Sequence, residues 1–137
     1  MTGIFTEHCL EHISYDACLQ ALREFKRILR SDGTVRIVVP DAELYLRAYV
    51  RLRDQGQDHF PHVQPIDGQW TAMREVNQVF RGHGHQFAYD FETLKVLLLE
   101  AGLREPQRRD FHQGRDPKLL IDSPERRAES LYVEAIG

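Results

Sequence analysis

The stretch "TVRIVVP", residues 34–40, constrains the fold most. Val35, Ile37, Val38 and Val39 are β-branched and nearly continuous. Such a run suits a strand covered on both faces, as in a parallel sheet, better than a surface strand that alternates apolar and polar. Pro40 ends the run. Asp41 is placed to cap a following helix over about 42–55, with Leu44, Ala48, Tyr49 and Leu52 on one side. A strand that leads straight into a capped helix is the signature of an α/β fold.

The flanking segments extend this pattern. Residues 3–8 form a short extended candidate around Ile4 and Phe5. A helix is predicted over about 15–30, because Tyr15, Cys18, Leu19, Leu22, Phe25 and Leu29 recur at helical spacing. Ser14 suits its N-cap, Asp16 its positive start and Arg30 its negative end. "SDG" stops it, with Gly33 free to take a positive φ. Residues 57–69 read as irregular, and a shorter helix is predicted over 70–80. "RGHGHQFAYD" is a loop. Asp90 caps a further helix reaching Ala101, with Leu94, Leu97, Leu98 and Ala101 on one face and Gly102 as its stop. Residues 103–113 are a charged strand candidate. In "ESLYVEAI", residues 129–136, Leu131, Val133 and Ala135 alternate with Tyr132 and Glu134. With no helix between them, these last two strands are expected to form a long antiparallel hairpin. The expected architecture is one α/β domain over 1–137: parallel strands, a C-terminal antiparallel hairpin and flanking helices.

Composition narrows the function classes. A net charge of −3 argues against non-specific nucleic-acid binding, which depends on neutralising phosphates. No apolar run approaches membrane-spanning length and no signal-peptide pattern precedes the first charges, so a cytoplasmic location is expected. Cys9 and Cys18 give no disulfide framework and no paired metal spacing.

The histidines carry the chemistry. "EHCLEH", residues 7–12, places His8 and His12 four apart, between Glu7 and Glu11. Helical histidines at that spacing can share zinc, as in H-E-x-x-H. Here the glutamate precedes the second histidine rather than following the first. The segment also lies ahead of the Ser14 cap, and a third ligand would have to come from far along the chain. No metal centre is therefore expected. His83 and His85, with Phe87 and Tyr89 beside them, read as a solvated loop or as a lid over a pocket. Arg47, Arg51 and Arg53 read as a solvated helix face, or as an anion contact.

The succession "EHCLEHI", then "FKRILRSDGTVRIVVPD", then "DFETLKVLLLEAGL" resembles the C-terminal half of a class I S-adenosylmethionine-dependent methyltransferase. The likeness is greatest to the small-molecule type 11 group and to methyltransferases with an "EHVLEH" segment. The resemblance implies a partial Rossmann-like sheet that begins at the family's fourth strand, without its N-terminal glycine-rich loop and ribose-binding acidic residue. It implies S-adenosylmethionine as cofactor, bound weakly or not at all by this chain, with Thr6, Glu7 and His8 near the methionine end. It also implies a small-molecule methyl acceptor, with Asp41, His83, His85 and Tyr89 on its side and His8 or His12 as base. The edge of the first strand would then lack a partner, so a homodimer or a partner chain is expected there. The competing expectation is a non-catalytic half-domain that serves as an interaction module. A zinc hydrolase built on His8 and His12 is the third reading.

Overall fold

The computed structural model describes residues 1–57, 60 and 70–137. Four strands, β1 (Gly3–Glu7), β2 (Thr34–Pro40), β3 (Arg104–Arg109) and β4 (Ser130–Ile136), form one sheet in the order β1-β2-β4-β3. β1 runs parallel to β2, with Ile4 opposite Val35 and Thr6 opposite Ile37. β4 inserts between β2 and β3 and is antiparallel to both. The expected parallel pair and terminal hairpin are both present, and the valine-rich strand is interior, parallel on one side and antiparallel on the other.

The helices are α1 (Tyr15–Ile28), α2 (Ala42–Asp54), α3 (Ala72–Arg81) and α4 (Phe91–Glu100). Each starts on a side-chain cap: Ser14 accepts from the Ala17 N–H, Asp41 from Leu44, Thr71 from Arg74 and Asp90 from Thr93. These caps satisfy amide groups that have no partner within the first turn. Trp70, expected inside the third helix, lies before its cap instead and donates its indole N–H to Glu75 at 3.2 Å. α1 ends at Ile28, short of Arg30, which pairs with Asp32 instead.

Gly33 does not adopt the positive φ expected of it. Space is what requires glycine there. A Cβ would lie 2.8 Å from Leu29 Cδ1 and 3.0 Å from the Thr2 carbonyl oxygen. β3 stops at Arg109 rather than running to 113, and its register slips between Arg104 and Gln107, where Glu105 sits at φ 52°. That is the geometry of a bulge on an edge strand. Most of the irregular stretch 57–69 lies outside the described residues.

One face of the sheet carries the main core. Val35, Ile37, Val39, Leu131, Val133 and Ala135 pack against Cys18, Leu19 and Leu22 of α1 and Leu94, Leu97 and Leu98 of α4. A second cluster joins α2 to α3 through Tyr45, Ala48, Leu52, Ala72 and Val76. Tyr45 holds the inward position of α2 that the apolar spacing assigned to Leu44; Leu44 and Tyr49 are only partly buried beside it. The opposite face of the sheet is charged and covered by the chain between β3 and β4. There Arg36 donates to Asp122 through Nε at 2.7 Å, to Glu134 through Nη1 at 3.1 Å, and to the carbonyls of Gln113 and Asp110. Arg36 is wholly buried. Among the described residues no helix is long and apolar enough to cross a membrane.

Candidate functional site

At the carboxyl ends of β1 and β2 the chain turns outward and leaves a cleft of roughly 320 Å³. This edge of an open α/β sheet is where such folds bind ligands. β1 delivers His8 to it. The His8 backbone takes the left-handed conformation at φ 47°, and its amide still donates to the Val38 carbonyl, so the ring is thrown off the strand end into the cleft. A single 3₁₀ turn, Leu10–His12, follows and presents Glu11 and His12. The loop after α3 arrives from the other side with His83 and His85. It is stitched to the first segment by backbone amides of Gln86 and Phe87 on the Glu11 carbonyl and by the Gln86 side chain on the His12 carbonyl. Pro40, Tyr45, Glu75, Arg126 and Glu129 close the remaining wall.

The centre of this arrangement is Glu11, 1% exposed, with neither carboxylate oxygen hydrogen-bonded among the described residues. His8 Nδ1 lies 3.6 Å, His12 Nε2 3.7 Å and His85 Nε2 4.0 Å from its Oε1. Burial pushes the Glu11 carboxyl above its ordinary range. Burial, with the nearby Arg126 charge, holds His8 below the usual histidine value, so its ring favours the neutral form. His8 Nε2 is 2.8 Å from Ser130 Oγ. When Nε2–H donates to that hydroxyl, Nδ1 keeps its lone pair.

The other residues expected at the site are distributed as follows. His12 and His85 line the cleft with His8. His83 is on its rim and contacts Gln78 at 3.2 Å. Glu7 is tied away: its two oxygens accept from the Ser123 amide at 2.9 Å and the Ser123 hydroxyl at 2.6 Å. Thr6 is half-buried in β1. Asp41 is buried beside α2, where it caps the helix and accepts from Arg108 at 2.6 Å. It borders a neighbouring hollow with Arg47 and Arg51 rather than the histidine cleft. Tyr89 is fully buried in the main core, its hydroxyl against the Cys18 thiol.

Sequence reading missed Glu11 as the hub, and it missed the Arg36 network. The second had a signal. Arg36 and Glu134 each interrupt an apolar strand, and they stand directly opposite one another in the β2–β4 register. The first had none, because its third histidine lies more than seventy residues downstream.

A mixed sheet with a parallel pair, a C-terminal antiparallel pair and a polar cleft at the strand ends defines a Rossmann-like α/β protein. No family model matches the chain, and no curated protein matches it. Solved structures do. A SAM-dependent methyltransferase from Archaeoglobus fulgidus superposes with a TM-score of 0.56 at 16% identity, covering 100% of this chain and 59% of that one. A protein assigned as an O-methyltransferase from Nostoc punctiforme gives 0.55 at 14% identity, covering 99% and 31%. The CMeT domain of the citrinin polyketide synthase gives 0.51 at 13% identity, covering 99% and 27%. The chain therefore has the Rossmann-like fold of these methyltransferases and spans less than two thirds of each of them.

Proposed function

We propose that this chain contributes the acceptor side of an S-adenosylmethionine-dependent methyl transfer to a small molecule bearing a hydroxyl or similar nucleophile. The observation that carries the reading is His8, a histidine disposed to be neutral and held at the carboxyl end of the parallel β1–β2 pair, facing a cleft. The cleft's charges suit a cationic or zwitterionic cofactor: Glu75 and Glu129 supply negative charge, and Arg126 one positive charge. His8 would lie beside the methionine end, with Thr6 behind it in β1. Glu7 would act indirectly, by fixing Ser123 and the loop that carries Arg126.

S-adenosylmethionine, when bound, supplies an activated methyl group, so the protein's share is alignment, water exclusion and one proton. His8 Nδ1 takes the acceptor's proton, while Ser130 Oγ fixes the ring through Nε2. His12 and His85 hold the acceptor in place, His83 covers the rim, and Asp41 and Tyr89 support the wall from behind. Substituting His8→Asn, which tolerates a positive φ, should lower transfer to a hydroxyl acceptor by about 10²–10⁴-fold with little change in cofactor affinity. Single-turnover methyl transfer together with calorimetry on S-adenosylhomocysteine separates the two effects. Equal rates in both proteins would remove His8 from the chemistry.

A second reading is a non-catalytic interaction module. It is favoured by β1, whose outer edge has no strand partner among the described residues. On this reading a second copy or a partner chain pairs with that edge. Isolated chain that binds cofactor only weaker than micromolar fits either reading. Tight one-to-one binding would exclude the module.

A further inference from the structure

The Glu11 carboxylate poses a problem that the methyl-transfer reading leaves open. It is buried to 1% exposure, both oxygens lack a hydrogen-bond donor among the described residues, and three imidazole nitrogens surround one of them at 3.6–4.0 Å. Those separations are too long for hydrogen bonds. They are close to the about 3.3–3.4 Å ligand-to-ligand edge of a tetrahedral site with metal–ligand bonds of about 2.0–2.1 Å. An unpaired carboxylate out of water is costly unless a cation meets it.

We propose that Glu11, His12 and His85 bind a divalent transition-metal ion of the zinc class, through Oε, Nε2 and Nε2, with a fourth position open to the cleft. The three ligand atoms already lie within 4.8 Å of one another. His85 is prepared for the role. Its Nδ1 is 2.6 Å from the Val79 carbonyl, which can only accept, so Nδ1 carries a proton, and in the neutral ring Nε2, 4.0 Å from Glu11 Oε1, keeps its lone pair. A backbone carbonyl on the far nitrogen is the usual outer partner of a metal-bound imidazole. His12, with a side chain 40% exposed, already brings its Nε2 to 3.7 Å from Glu11 Oε1. The two halves of the site are locked together by the amides of Gln86 and Phe87 on the Glu11 carbonyl. Two imidazoles and one carboxylate select borderline ions such as zinc, cobalt or iron over magnesium and calcium. Three protein ligands with an open position are the pattern of a reactive rather than a purely structural centre. The open position faces the same cleft as His8, where an oxygen of a bound small molecule can complete the shell. Binding of the metal itself does not depend on the methyl-transfer reading.

The test is titration of the untagged, metal-stripped chain with zinc chloride by calorimetry, and with cobalt(II) by ligand-field absorption. The expected result is one equivalent bound, a tetrahedral-type cobalt spectrum bleached by zinc, and no displacement by excess magnesium. Glu11→Gln and His85→Asn should each weaken zinc binding more than about a hundredfold, since groups that merely orient a ligand are worth about 10–100-fold. His12→Ala keeps the assay decisive if a buried variant fails to fold, because His12 is half-exposed; it should weaken binding similarly. Cys9→Ser, which removes an exposed thiol outside the cleft lining, should bind as the parent does. Absence of stoichiometric binding, or equal affinity in the parent and His12→Ala, would overturn the site.

Discussion

Arg36 is the residue on which the charged face of the sheet depends. It is fully buried, and its guanidinium is shared between Asp122, Glu134 and two backbone carbonyls. Arg36→Met would strip the buried Asp122 carboxylate of its guanidinium partner, while Glu134 keeps Arg109 and the Arg115 amide; removal of one member of a buried pair costs about 3–5 kcal/mol. Urea unfolding of parent and variant measures the loss. Asp122 gives the network a pH dependence. Burial alone would raise its carboxyl, but the Arg36 guanidinium and the His112 amide outweigh burial and hold it below the ordinary 3.8. The folded value is thus the depressed one. The bond stabilises above the unfolded value, and the contribution is lost as pH falls through the folded value. The urea midpoint of the parent should drop steeply on acidification below about pH 4, and that limb should flatten in Asp122→Asn.

At the scale of elements, local chemistry was readable and long-range chemistry was not. Ser14, Asp41 and Asp90 cap the helices the sequence assigns to them, because a cap involves residues only three apart. The valine run became an interior strand because its burial is a property of the run itself. Glu11 and His85, or Arg36 and Asp122, meet only after the chain has folded; the second pair is 86 residues apart. Gly33 shows a subtler limit: glycine at a helix stop suggested backbone freedom, while the neighbours reveal a shortage of room. Gly102, which ends α4, is the complementary case. It sits at φ 87°, and a Cβ there would meet nothing closer than 3.8 Å. Gly102→Ala should therefore cost about 1–2 kcal/mol through backbone conformation alone. The thermal midpoint reports it, and a Gly102→Asn variant should recover part of the loss.

For the whole molecule, the β1 edge decides between a lone chain and an assembly. The His8 amide bonds to Val38, and the Thr2 carbonyl accepts from Thr34, so even-numbered residues of this strand direct their backbone groups towards β2. Odd-numbered residues direct theirs outward. In dilute chain the amides of Ile4, Thr6 and His8 should exchange slowly with solvent, and those of Phe5 and Glu7 quickly. If a second copy covers the edge, protection of Phe5 and Glu7 should rise with concentration, together with the mass by light scattering. Fast exchange at Phe5 and Glu7 at every concentration would leave the edge unused.

The threading of β4 between β2 and β3 has a consequence for biosynthesis. Ribosomes make β2 and β3 well before the strand that joins them, so β2 has only β1 beside it and β3 has no strand neighbour while translation is still short of Ser130. Until then the valine face lacks Leu131, Val133 and Ala135 beside it, and Arg36 lacks Glu134. A nascent chain stalled before that point should be a client for holdase chaperones, and release of the last seven-residue strand should be the event that ends the dependence.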